Sequence, residues 1–395
     1  MRLRGFKYLK GGRILTLTLI ITISSMLFSL TALTLLGFYK GFTAYLGEEE
    51  DIIALYDKKS RTPFTGLVPT YLAEKISTIN GVVAASPEAI TPCIVKNEST
   101  FLRGIIPEDL TKINEVTIIE GDMLELDDLN AAIAGKSVAE RLRLNLNDKI
   151  LVLGVLTDRY LELQVKGIFV SHSPMDDEIL TPLYVGQWLR GTDYAHVTLI
   201  RFKIDGSIIT PSKIFEEISK EASQPTSPPT TTPSTTPSQE PPAITPRILA
   251  KFKIEDIGVE ETYTFMKNYL DRYGLTRESL LILSTMVFLL SSASIVAASK
   301  TIIAQHKGEI NILRSIGASK KLLKIDLLTK LLPWSLAASS TGFAAAIALL
   351  TVIQRSGYLK VLSHTIPLHI DPLLIALNFI LTTLLLSLSI LHTDL

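Results

Sequence analysis

The chain has 395 residues, room for two or three domains, and 47% of them are hydrophobic, a share that ordinary soluble proteins also reach. Its 39 basic and 39 acidic side chains cancel, which argues against a nucleic-acid binder with a basic excess and against a solvated acidic tail. The single cysteine, Cys93, excludes an intramolecular disulfide and a CxxC zinc site.

In chain order, residues 1–13 form a basic leader with Arg2, Arg4, Lys7, Lys10 and Arg13 and no acid. From Ile14 to Tyr39, 26 consecutive residues carry no Asp, Glu, Lys or Arg, more than the roughly 20 that an apolar helix needs to cross a bilayer. The apolar part of a cleaved signal peptide is about 7–15 residues long, so 14–39 is expected to stay as an anchor. Residues 40–278 read as mixed α/β. Apolar or alternating runs predict strands at Asp51–Tyr56, Gly81–Ala85, Thr100–Ile106, Lys149–Gly154 and Leu161–Val170. Helical spacing predicts helices at Thr70–Ile79, Lys136–Leu142 and Pro211–Ala222. In 223–246, 19 of 24 residues are Pro, Thr or Ser, with too little apolar surface to offset the entropy of ordering, so a disordered linker is expected. Val259–Tyr273 is amphipathic and leads almost directly into the next apolar run, which predicts a stalk helix over 259–278. Three more uncharged runs follow at 279–299, 331–354 and 372–393. Core helices of this length show a polar stripe, and these runs predict three further spans, separated by segments 300–330 and 355–371 and followed by a tail, 394–395.

The fold expected is therefore a membrane protein with four transmembrane α-helices, one and then three, and a large extracytoplasmic α/β domain inserted between helices 1 and 2. Orientation follows from Lys and Arg near the span ends. The leader has five, and 300–330 has Lys300, Lys307, Arg314, Lys320, Lys321, Lys324 and Lys330 against Glu309 and Asp326. Both are expected to be cytoplasmic, with 40–278 and 355–371 outside and both termini inside a cell membrane. The 40–278 segment has 25 basic and 35 acidic residues, net −10. The Ser/Thr-Pro composition of 223–246 is similar to glycosylated stalks, and Asn97-Glu98-Ser99 is a candidate glycosylation sequon on the same side.

Several stretches resemble chemical sites without completing them. Gly135-Lys136-Ser137 lacks the first glycine of a phosphate-binding loop, which is Asn130 here. His172-Ser173-Pro174-Met175-Asp176-Asp177-Glu178 has one histidine beside carboxylates and reads as a solvated loop rather than a metal site. His364 and His369 bracket Pro367 and read as capping or interfacial. With no HExxH, no GxSxG and no partner for Cys93, no catalytic constellation is found and no enzyme activity is expected.

Gln305–Lys324, QHKGEINILRSIGASKKLLK, is the most informative stretch. Ile310, Leu313 and Ile316 fall at helical spacing, Gly317 suits a left-handed cap, and Ser319 suits the N-cap of the next helix. Lys307, Arg314, Lys320 and Lys321 surround this short helix, whose face fits membrane lipid or a protein partner equally well. In the spans, Ser291, Ala298, Ala338 and Gly342 are small residues suited to close helix packing.

EINILRSIGAS at Glu309–Ser319 resembles the EIGILRAIGAS-like segment of FtsX-like permeases, the MacB type of ABC transporter membrane subunit. Phe101-Leu102-Arg103-Gly104-Ile105-Ile106-Pro107, Ile119-Glu120-Gly121-Asp122, Ala134–Leu142 and Asn147-Asp148-Lys149-Ile150 look like the periplasmic core of that family. The resemblance implies a loop helix that docks on a separate cytoplasmic ABC ATPase through Glu309, Ile312, Arg314 and Gly317, beside the periodic Ile310 and Leu313. It also implies a pair of permease subunits, of one or two kinds, with ATP and Mg held on the partner ATPase and no cofactor on this chain. ATP-driven movement of the outer domain would then export a peptide, lipid or lipoprotein by mechanotransmission. Signalling to an extracellular envelope enzyme and an anchored receptor without an ATPase are the alternative expectations. Gln305-His306 stands where Glu-Arg is usual and Asn311 where Gly is usual.

Overall fold

The computed structural model describes residues 11–47, 49–60, 62–222, 256–356, 359–361, 364–366 and 368–392. The expected linker 223–246, most of the leader and the tail 394–395 lie outside the described residues. In chain order the elements are α1 (Gly11–Thr43), β1 (Ile52–Asp57), β2 (Val68–Pro69), α2 (Tyr71–Ser77), β3 (Val82–Val95), β4 (Glu98–Ile105), α3 (Pro107–Ile113), β5 (Thr117–Gly121), β6 (Ala131–Gly135), α4 (Lys136–Leu142), β7 (Lys149–Gly154) and β8 (Tyr160–Val170). A 3-10 turn at Pro174–Asp177 precedes β9 (Glu178–Pro182), α5 (Leu183–Arg190), β10 (His196–Val197), β11 (Leu199–Ile204), α6 (Pro211–Ala222), β12 (Ile257–Glu261) and α7 (Thr262–Arg272). Then come α8 (Arg277–Gln305), α9 (Lys307–Ser315), α10 (Lys320–Arg355), β13 (Lys360–Val361), β14 (His364–Thr365) and α11 (Pro372–His392). The chain divides into an α/β unit, Thr43–Tyr269 with Leu362–His364, and a helical unit made of the rest.

The α/β unit is built on a ten-stranded sheet of order β12-β1-β11-β3-β4-β9-β6-β8-β5, with β7 bridging β3 and β8. Most pairings are antiparallel, but β4 runs parallel to β9 and β6 parallel to β8. At one end α2 and α6 bury Leu72, Ile76, Ile214 and Ile218 against Ile53, Leu55, Ile200 and Phe202. At the other, Val138 and Leu142 of α4 and Val185 and Leu189 of α5 pack with Leu102, Ile150, Val152, Leu163 and Val165.

The sequence-predicted strand at Gly81–Ala85 continues to Val95. Pro87 and Pro92 suggest a turn there, yet Pro87 lies opposite Ile200 and Pro92 opposite Phe101 within paired strands. The expected stalk helix 259–278 is corrected in two places. Ile257–Glu261 is a strand, because pairing with β1 outweighs the local helical spacing. Helix α7 then stops before Gly274, which takes the left-handed φ of +72°, and α8 restarts with Thr276 as N-cap, its side chain accepting from Ser279 N at 3.1 Å.

In the helical unit α1, α8, α10 and α11 are each long and apolar enough to cross a membrane. Their threonines bond backward into their own helices, as Thr18 Oγ1 does to Ile14 O (2.9 Å) and Thr22 Oγ1 to Thr18 O (2.8 Å), so no polar group faces lipid unsatisfied at these positions. Helices α1 and α10 cross at Gly342, where an added Cβ would sit 2.4 Å from Thr22 O and 2.9 Å from Ser25 Cβ. Beside this crossing Ser25 Oγ lies 2.9 Å from Ser339 O and 3.0 Å from Asn378 Oδ1, all three residues fully buried. Edge-on packing of Phe28 and Phe288, centroids 5.5 Å apart, joins α1 to α8. The connecting segment 300–330, expected to carry a short helix and an N-cap at Ser319, is helical almost throughout: α8 runs to Gln305, α9 occupies its middle and α10 begins at Lys320.

Candidate functional site

Helix α9 carries the predicted coupling residues. Its start is set by His306, fully buried, with Nδ1 2.8 Å from Ile302 O. Its end is set by Gly317 at φ +101°, with Gly317 N donating to Arg314 O (2.9 Å) and Ala318 N to Leu313 O (3.0 Å). Ser319 caps the next helix by accepting from Leu322 N at 3.3 Å. Ile310 and Leu313 are buried, whereas Ile312 and Ile316 are 62% and 57% exposed. Ile316 therefore does not share the face of Ile310 and Leu313 as its spacing suggested, because the helix ends at Ser315 and Ile316 turns away as its cap. Glu309 is half-buried, Arg314 is exposed, and Gly317 has open space where a side chain would go. The result is a nine-residue helix seated on two apolar side chains, presenting Ile312, Arg314 and Ile316 outward.

A second constellation, in the α/β unit, escaped the sequence reading. Arg103 on β4 donates from Nε to Glu178 Oε2 (2.6 Å), from Nη2 to Glu178 Oε1 (2.8 Å) and from Nη1 to Glu88 Oε2 (2.5 Å). Arg201 on β11 donates from Nε to Glu88 Oε1 (2.7 Å) and from Nη1 to Leu46 O (2.9 Å). His364 Nε2 lies 3.2 Å from Glu178 Oε1, with the Tyr45 ring edge-on to the imidazole at 4.8 Å. Burial by itself raises a carboxyl, yet the Arg103 guanidinium, and after it His364, hold Glu178 well below the usual carboxylate range. Burial disfavours the Arg103 cation, but Glu178 and Glu88 outweigh it and hold the guanidinium more firmly protonated than usual. Burial, and then the Glu178 carboxylate, push the Tyr45 hydroxyl up. These groups, all buried, cross-link β3, β4, β9 and β11. A charged Arg103 inside the apolar run Phe101–Pro107 was the available signal for them.

The 172–178 stretch is accordingly not a solvated loop. Glu178 is fully buried on Arg103, Asp177 is bound by Arg141 Nη1 at 2.6 Å, and Asp176 Oδ1 accepts from Ser171 N at 2.6 Å. His364 is likewise buried rather than interfacial, while His369 is exposed. Gly135 closes the β6–α4 turn, where a Cβ would lie 2.4 Å from Asp176 O; close packing, not phosphate binding, explains the glycine. Asn97 sits exposed at the β3–β4 hairpin tip with φ +65°. Ala338 is fully buried, Ala298 is half-buried, and the side chain of Ser291 lies outside the described residues. Among the described residues no group of three or more His, Cys, Asp or Glu is placed to hold a metal.

Residues 281–392 match the family model described as FtsX-like permease C-terminal. No curated protein matches the chain. Solved structures similar to it include the periplasmic region of MacB from Actinobacillus actinomycetemcomitans, at 13% identity and TM-score 0.36, covering 55% of this chain and 92% of that one. Another is the extracellular domain of the noncanonic ABC-type transporter YknZ from Gram-positive bacteria, at 15% identity and TM-score 0.32, covering 43% and 90%. A domain of a putative permease protein from Porphyromonas gingivalis has 16% identity and TM-score 0.30, covering 44% and 84%. The family match is thus confined to the region from α8 to α11, which is similar to the C-terminal part of FtsX-like permeases.

Proposed function

We propose that this chain is the membrane subunit of an ABC transporter, without ATPase chemistry of its own, and that α9 receives a separate cytoplasmic ATPase. The observation that carries this reading is the two-sided character of α9. Ile310 and Leu313 fasten it to the helical unit while Ile312, Arg314 and Ile316 stay exposed, so a push on the exposed side is passed to α8 and α10, which flank it in sequence. In this reading ATP and Mg are held by the ATPase and two permease chains pair. The termini are cytoplasmic, and the acidic α/β unit stands outside and moves an exported peptide, lipid or lipoprotein.

The test is affinity purification of the tagged chain from its host in mild detergent, with mass spectrometry and an ATPase assay of the eluate. A stoichiometric ATP-binding protein with vanadate-sensitive activity is expected. Glu309→Lys combined with Gly317→Val, which places a β-branched residue at φ +101°, should abolish co-purification while the chain still inserts. Unchanged co-purification would remove α9 from the docking role.

A further inference from the structure

A polar cleft of about 400 Å³ opens on the α/β unit between the β5–β6 connection and the α4–β7 turn, lined by Asp122, Asp128, Asn130, Asn147, Gln164 and Lys166. Strand β8 runs between the two segments and holds each by backbone bonds. Asp122 N donates to Lys166 O (3.1 Å), Gln164 N to Asn130 O (2.8 Å) and Asn147 N to Val165 O (2.8 Å). At this point the register of β8 against the parallel β6 slips by one: Val165 faces Ala132 and Gly167 faces Ile133, so Lys166 is an extra residue on β8. Such a slip bends a strand and re-aims a side chain, is rare between parallel strands, and is over-represented beside active sites. Side-chain bonds then fix the lining. Asp128 Oδ2 accepts from Glu125 N (2.7 Å) and Lys166 Nζ (2.9 Å), Lys166 Nζ also lies 3.4 Å from Glu125 Oε1, and the Tyr184 hydroxyl donates to Asp128 O. Gln164 Nε2 donates to Asn147 Oδ1 at 3.1 Å.

What these bonds leave over selects the ligand. Asp128 Oδ1, Gln164 Oε1 and Asn147 Nδ2 keep bonding capacity, and the side chains of Asp122 and Asn130 have no hydrogen bond to another described residue. The lining has two carboxylates and one ammonium, and that ammonium is already paired with Asp128 and Glu125. A phosphate or carboxylate therefore finds no spare cation and meets like charge. A metal ion lacks its ligands, since among the described residues no three His, Cys, Asp or Glu are placed together to hold one. Carboxylates only accept hydrogen bonds and amides both donate and accept, while a hydroxyl gives one and takes others. Neighbouring hydroxyls of a sugar ring thus satisfy a carboxylate and an amide together without bringing a charge into the cleft. Leu146, also in the lining and 38% exposed, offers an apolar contact for the C–H groups of such a ring. The volume falls within the roughly 300–1,000 Å³ of small-molecule sites. We propose that this cleft binds a neutral sugar unit, free or at the end of a glycan. The proposal stands apart from α9 and its ATPase.

The experiment uses the full-length chain in lipid nanodiscs. It is probed on an array of neutral oligosaccharides and titrated calorimetrically with glucose, galactose, mannose and N-acetylglucosamine, with calcium and inorganic phosphate titrated in parallel. Saturable binding of at least one sugar is expected, with displacement of the array-bound chain by the matching free monosaccharide. Asn130→Ala and Gln164→Leu, both at exposed positions, should each weaken that binding tenfold or more with the thermal midpoint unchanged. Leu129→Ala, exposed and outside the lining, should leave it within twofold. Absence of binding to every sugar would overturn the proposal, as would binding of calcium or phosphate alone. Sugar binding that both cleft variants leave unchanged would place it elsewhere on the chain and overturn this site. Array binding that no monosaccharide displaces would overturn recognition of a single sugar unit.

Discussion

The fully buried quartet Glu88, Arg103, Glu178 and Arg201 shows why single residues decide the α/β unit. Removing one partner strands another charge in a dry interior, which typically costs about 3–5 kcal/mol. Glu178→Gln is therefore expected to lower the thermal midpoint of the full chain markedly at pH 7, while Cys93→Ser, a small change without an ionic partner, should shift it far less. The pH dependence has a definite sign. Glu178 titrates lower in the folded chain than in the unfolded one, so its stabilisation is complete above the ordinary glutamate range near 4.3. It is lost as pH falls from there toward the folded value, by up to about 1.4 kcal/mol per pH unit. The gap between wild type and Glu178→Gln should then be constant from pH 7 to 5 and narrow below about pH 4. Melting curves at pH 7, 5 and 3.5 check it, and a gap that widens in acid would refute the assignment.

At the scale of elements, what was legible in the sequence was whatever a local pattern determines. Uncharged runs placed the four apolar helices, and alternation placed β1, β4, β7 and β8. Ser319 and Gly317 act as the cap residues their types suggested. Long-range partners set the rest. Strand β12 exists because β1 is beside it, β3 runs through two prolines because β11 and β4 hold it, and β9 hides behind acidic residues whose partners are distant arginines. Asn378 was likewise unread, since an uncharged polar residue does not interrupt a hydropathy run. The α1–α10–α11 junction around it allows a comparison of variants. Gly342→Leu must separate α1 from α10, because even its Cβ has no room, and overpacking of this kind costs about 1–3 kcal/mol or more. Asn378→Leu leaves Ser25 Oγ its bond to Ser339 O, and a lost interhelical hydrogen bond in a membrane averages only about 0.6 kcal/mol. Unfolding in mixed detergent should rank Gly342→Leu well below Asn378→Leu. The reverse order would mean that the polar node, not the close crossing, holds these helices.

For the whole molecule, the segment between α6 and β12 carries the Pro/Thr/Ser-rich run 223–246, and the elements at its two ends state what its length has to do. Helix α6 packs on β12, so the two ends that the segment joins belong to neighbouring elements of one unit. Deleting 223–246 leaves residues 247–256 as the connection. Ten extended residues reach about 33 Å at roughly 3.3 Å each, more than the roughly 18 Å length of a 12-residue helix such as α6. Shortening the connection from 34 to 10 residues also reduces the entropy of closing it, by about 1 kcal/mol on the logarithmic scaling of loop length. The deletion is therefore expected to leave insertion, thermal midpoint and ATPase co-purification at or slightly above wild-type levels. Intact stability with lost ATPase coupling would assign the Pro/Thr segment a part in the working cycle. Lost stability would mean instead that residues 223–246 contribute contacts to the α/β unit itself.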